Sequence, residues 1–138
     1  MFSIFKKKFN AERSLFDLLN EMEKNLENFY VMDQRQFITQ GYLTDAWDKV
    51  KDLGLIKRHE TIVKYAAVME DFNNSLKAYK EFETWYTQDI NRKTPETARK
   101  LHDMKNALDA KLKGMEALII YAGQDLEREM LQLGLLKS

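Results

Sequence analysis

Apolar positions recur along this chain at spacings of three and four residues, the signature of helices that bury one face, and no strand-like alternation bounded by turn residues occurs. The first stripe holds Leu15, Leu19, Met22, Leu26, Phe29 and Phe37 and predicts a long helix, with Asn10 or Ser14 as its cap. Asp33 falls within that stripe, so the pattern leaves two alternatives: a continuous helix with a buried partner for the carboxylate, or a break near Met32 that frees it to solvent. A short helix follows from Thr44 to Leu53, capped by Thr44, with Ala46, Trp47, Val50 and Leu53 inward. The second long helix runs from about Thr61 to about Asp89. It carries Ile62, Met69 and Leu76 at one heptad position and Tyr65, Phe72, Tyr79 and Tyr86 at the other.

Thr94-Pro95-Glu96 is a strong start signal: a capping hydroxyl, a proline whose missing N–H costs nothing there, and an acid at the positive end of the helix dipole. From it a single stripe, Leu101 through Leu133, predicts one helix ending at Gly134. Gly41, Gly54 and Gly134 each sit between apolar residues spaced for a left-handed closure, so each is expected to end a helix. The fold class these elements predict is all-α: an up-and-down helical bundle of three long antiparallel helices plus one short helix. Residues 1–10 are expected as a flexible apolar and basic arm, and residues 11–138 as one helical-bundle domain.

The chain has 138 residues with 44% hydrophobic and 32% charged side chains, which suits a folded domain rather than a disordered chain. Lysine and arginine balance aspartate and glutamate at 22 each, and no basic stripe offers itself to phosphates, so no nucleic-acid partner is expected. Cysteine is absent, which removes thiol chemistry and suits a reducing compartment; the expected location is cytoplasmic, with attachment to the membrane periphery as an alternative. The longest apolar run, Ala117 to Ala122, is too short to span a bilayer. Apolar residues precede basic ones at the N-terminus, the reverse of a secretory signal, which implies a chain starting at Met1.

Candidate chemistry is sparse. His59 and His102 lack a glutamate three residues earlier, so no helical metal site and no cofactor is expected. Asp45, Asp48 and Asp52 read as the wet face of the short helix, and Glu21, Glu23 and Glu27 as solvent positions. No serine sits in a nucleophile elbow and no glycine-rich phosphate loop exists, so no enzyme is expected. Only Asp33, Asn73 and Glu83 are candidates for inward polar groups. Phe82, Trp85 and Tyr86 are expected to plug the end of the bundle near the turn at Asn91–Thr94.

Two features point to partners. Around Phe29–Met32, Ile62–Met69 and Ala117–Ala122 apolar residues surround the helix, which leaves Val63, Val68, Ile120, Tyr121 and Leu131 without a cover inside one subunit. These five are the expected surface for self-association or another protein. At the N-terminus Phe2, Ile4, Phe5 and Phe9 interleave with Lys6, Lys7 and Lys8, a pattern suited to an anionic membrane surface or a partner. The expected function is a non-enzymatic helical interaction or scaffold protein that self-associates, with a peripheral membrane protein as the alternative.

Overall fold

A computed structural model describes residues 2–35, 41–52 and 60–136, and within the first helix the side chains of residues 12–33. The described elements are all helical: α1 (Phe2–Arg35), α2 (Asp45–Asp52), α3 (Glu60–Gln88), a 3-10 turn (Ile90–Arg92), α4 (Pro95–Leu112) and α5 (Met115–Gln132). α1 packs on α2 and α5, and α3 packs on α4 and α5.

α1 begins at Phe2, so residues 2–10, expected as an arm, are continuous with the first helix, and Asn10 and Ser14 lie inside it rather than capping it. Among its described side chains Leu15, Leu18, Met22, Asn25, Phe29 and Met32 are buried at spacings of three, four, three, four and three, with Glu21 buried beside them. The expected stripe through Leu19 and Leu26 is therefore rotated by about one position; both residues flank the core half-buried. Neither alternative for Asp33 holds. The helix runs on to Arg35, and Asp33 is exposed because it follows buried Met32 by about 100° of rotation. Phe37, Leu53 and Gly54 lie outside the described residues.

α3 follows its expected face closely, burying Ile62, Tyr65, Met69, Phe72 and Leu76, with Ala66 added and Tyr79 and Tyr86 half-buried. At its end Asp89 accepts from the Asn91 N–H at 2.9 Å and caps the 3-10 turn. Thr94 then caps α4 as expected: its hydroxyl accepts from the Thr97 N–H, and the Thr97 hydroxyl accepts from the Thr94 N–H in a capping box, with Pro95 opening the helix. Lys100 lies 4.6 Å from the Phe82 ring and Lys111 pairs with Asp71, so rising numbers on α4 meet falling numbers on α3 and the two are antiparallel.

The single helix expected from Pro95 to Leu133 is instead two helices. Lys113 is extended (φ −65°, ψ 130°) and Gly114 is left-handed (φ 78°), which ends α4 and starts α5. The apolar stripe hid the break, since buried Leu108, Met115 and Ile119 keep helical spacing across it. At the far end Gly134 takes φ 76°, with Leu135 N–H donating to Met130 O at 2.8 Å and Gly134 N–H to Leu131 O at 3.0 Å. That is the closure expected there. Gly41 does not share it, for its φ lies outside the left-handed region.

Three glycines make this backbone reading testable. An added Cβ meets nothing within 4 Å at Gly114, Gly134 or Gly123, so backbone conformation alone separates them. Gly114→Ala and Gly134→Ala should each cost about 1 kcal/mol, because a side chain in the left-handed region is strained. Gly123→Ala, inside α5, should instead stabilise by roughly 0.5–1 kcal/mol. Urea denaturation of the three variants checks the opposite signs.

Candidate functional site

The polar chemistry of the interior gathers on one non-helical stretch, Gly41–Thr44, and the start of α2. Asn25 of α1, 0% exposed, accepts from the Leu43 N–H at 2.8 Å and donates to the Leu43 carbonyl at 2.9 Å and to the Tyr65 hydroxyl at 2.6 Å. Asn73 of α3 repeats the device on the preceding residue, accepting from the Tyr42 N–H at 2.7 Å and donating to the Tyr42 carbonyl at 2.8 Å. Successive residues of the segment thus turn their backbone polar groups to opposite helices. Each asparagine supplies the donor and acceptor that a neighbouring strand would otherwise provide.

Glu21, one turn before Asn25, completes the grip. Its two carboxylate oxygens accept from Ala46 N–H at 2.9 Å and Trp47 N–H at 3.3 Å, so an α1 side chain satisfies the free donors at the start of α2. Glu21 is 6% exposed, which corrects its assignment to solvent. Burial raises its pKa above the usual 4.5, the two N–H bonds pull it back, and repulsion from Asp45 and Asp48 adds to the rise. Burial likewise pushes the Tyr42 and Tyr65 phenols up, so both stay protonated at neutral pH. The buried Tyr42 hydroxyl has no hydrogen-bond partner among the described residues, while its ring lies 5.1 Å from that of Phe72.

Gly41 owes its identity to close approach rather than to left-handed backbone. A Cβ there would come within 2.3 Å of Asn73 Oδ1, the atom that holds Tyr42. Asn73 was legible as an inward polar residue, whereas Asn25 was missed; the available signal was its place in the three-four burial rhythm of α1. Glu83 is exposed and accepts from the Tyr79 hydroxyl at 3.0 Å, and Asp33 is exposed as well, so neither faces inward. On α2, Asp45, Asp48 and Asp52 are exposed as expected, opposite buried Val50.

An open groove of about 810 Å³ lies where the end of α1, the end of α4 and the start of α5 converge. Phe29, Met32, Leu112, Ala117, Ile120 and Tyr121 form its apolar lining, and Asp33, Lys105, Asp109, Lys113 and Glu116 its charged rim. Of the five residues expected to lack a cover, the structure brings Ile120 and Tyr121 together here, Tyr121 being 59% exposed. Val63 and Leu131 are exposed outside the groove, at 45% and 39%, while Val68 is half-buried against the core. The side chains of Phe2, Ile4, Phe5, Lys6, Lys7, Lys8 and Phe9 lie outside those described.

The aromatic cluster near the turn is not an interior plug. Phe82 and Trp85 stack at 5.4 Å, Trp85 is exposed, and cations cover the rings: Arg92 over Trp85 at 5.0 Å, Lys93 over Tyr86 at 5.8 Å and Lys100 over Phe82. Arg92 also donates to the Trp85 carbonyl at 3.0 Å, which clasps the 3-10 turn to the end of α3. Among the described residues no three histidine or carboxylate side chains converge as metal ligands, and no helix is long and apolar enough to cross a membrane.

Two measurements probe the clamp. Asn25→Ala takes the partner from the part-buried Leu43 N–H and carbonyl and from the buried Tyr65 hydroxyl and should cost about 2–3 kcal/mol in denaturant unfolding. For Glu21, a pKa raised by folding means the native state binds the proton more tightly than the unfolded chain. Its contribution to stability therefore falls as pH rises from 4.5 through the raised value. The stability of the wild type minus that of Glu21→Gln should decline across that window, read from urea midpoints at successive pH values.

No protein family, curated protein or solved structure matches the chain.

Proposed function

We propose that this protein is a non-enzymatic helical interaction module that self-associates, built as a three-rod bundle in which α4 and α5 together serve as the third rod. Tyr30, near the end of α1, donates to Glu116 at the start of α5 at 3.0 Å. α1 packs along α5, and most of α1 precedes Tyr30, which supports an antiparallel pairing of these two rods. Among the described residues the buried Glu21 and Asn25 side chains spend their acceptors on backbone N–H groups of the 42–47 segment. That favours a structural role for the interior and leaves function to the surface.

The observation that carries the reading is Tyr121, 59% exposed at the mouth of an apolar groove that Phe29, Met32 and Ile120 also line. A large ring beside contiguous apolar surface is the usual mark of a protein contact, and tyrosine is enriched at the energetic centres of such contacts. The expected result is a molar mass that rises with concentration in sedimentation equilibrium. Tyr121→Glu should remain monomeric at concentrations where the wild type associates, with an unchanged melting temperature because the residue is exposed. A wild type that stays monomeric throughout rejects the reading.

A further inference from the structure

The rim of the groove carries both signs of charge in an ordered way. On α4, Lys105 and Asp109 lie four residues apart and share one face, and Lys113, the extended residue that follows the helix, also lines the groove. Asp33 from α1 and Glu116 from α5, whose carboxylate accepts from Tyr30 of α1, bring acidic charge to the lining on the α1 side. All five are exposed, and among the described residues no ion pair involves Asp33, Lys105 or Lys113. A partner surface of a single sign would meet like charge on one side of this groove whatever its orientation. A two-fold axis does not have that difficulty, since it sets the lysine wall of one copy against the acidic rim of the other and repeats the match on the opposite side.

Resting on the self-association proposed above, we infer that the occupant of the groove is the same groove of a second copy, paired about a two-fold axis with Tyr121 near the centre. Lys105 and Lys113 of each copy then face Asp33 and Glu116 of the other, and the half-buried Ile120 of both copies packs beside the tyrosines. The charges select the self-pairing, because juxtaposed like charges cost far more than matched pairs return. Apolar contact supplies the attraction.

Charge reversal in two complementary chains tests this arrangement. One variant carries Lys105→Glu and Lys113→Glu, the other Asp33→Lys and Glu116→Lys; all four sites are exposed, and unchanged helical circular dichroism and melting confirm folding. Each variant alone should self-associate at least about tenfold more weakly than the wild type. Mixed in equal amounts they should form a heterodimer of near wild-type affinity, since each reversed residue then faces the opposite sign and Asp109 meets the same surroundings as in one half of the wild-type pair. Lys113→Glu by itself serves as a milder variant should either double variant fold poorly, and it too should weaken association. Reversed chains that associate as strongly as the wild type overturn the groove as the interface while leaving self-association intact. Two weakened variants that do not pair with each other overturn the two-fold arrangement. A wild type with no association overturns both readings.

Discussion

The hydrogen bonds that Glu21, Asn25 and Asn73 make to the backbone of residues 42–47 hold that segment and the start of α2 against α1 and α3. A non-helical segment inside a helical protein has peptide groups that no helix satisfies, and burying them unmatched costs about as much as a lost hydrogen bond each. Two asparagines and one glutamate remove that cost, one residue of backbone at a time. Once the segment is fixed, Tyr42 is placed against Phe72 and Val50 enters the core beneath α2. Asn25 also reaches the Tyr65 hydroxyl, so the same side chain ties α1 to α3 directly. Glycine at position 41 belongs to this arrangement, because Asn73 occupies the space a side chain would need.

A second constraint acts at the other junction. The extended Lys113 and left-handed Gly114 interrupt what the apolar rhythm would carry through as one rod, and α5 then packs against both α1 and α3. The groove lies beside this interruption, with Gly114 in its lining. Met115 and Ile119 face inward while Ala117, Ile120 and Tyr121 line the groove, so the start of α5 serves two surfaces. The surround of apolar residues from Ala117 to Ala122 reads in structural terms as this double duty. Val68 received its cover from the core, whereas Val63 and Leu131 did not.

The aromatic cluster at the α3–α4 turn illustrates how the same residues can be placed for a different reason from the one their pattern suggests. Phe82 and Tyr86 share a helix face, as the four-residue spacing requires, yet both are only half-buried, a lysine covers each of their rings and Arg92 covers the exposed Trp85. Spacing reports which side chains are neighbours. It does not report which neighbours from other elements reach them.

What the sequence alone determined was local: helical class, the Thr94-Pro95 start of α4, the Gly134 closure of α5, and the buried face of α3. Each depends on groups within about one or two turns of one another, where helix geometry leaves little choice. Tertiary structure alone decided the roles of Glu21, Asn25 and Asn73, whose partners lie 18 to 40 residues away, and the convergence of three helix ends into the groove. A polar residue on a helix reads as solvent-facing until another backbone presents the donors and acceptors it matches, and no short-range pattern records that meeting. Gly114 stands between the two cases: its left-handed backbone is a local property, but the apolar phase running unbroken across it concealed the break until the packing of α5 against α1 and α3 made the two helices distinct.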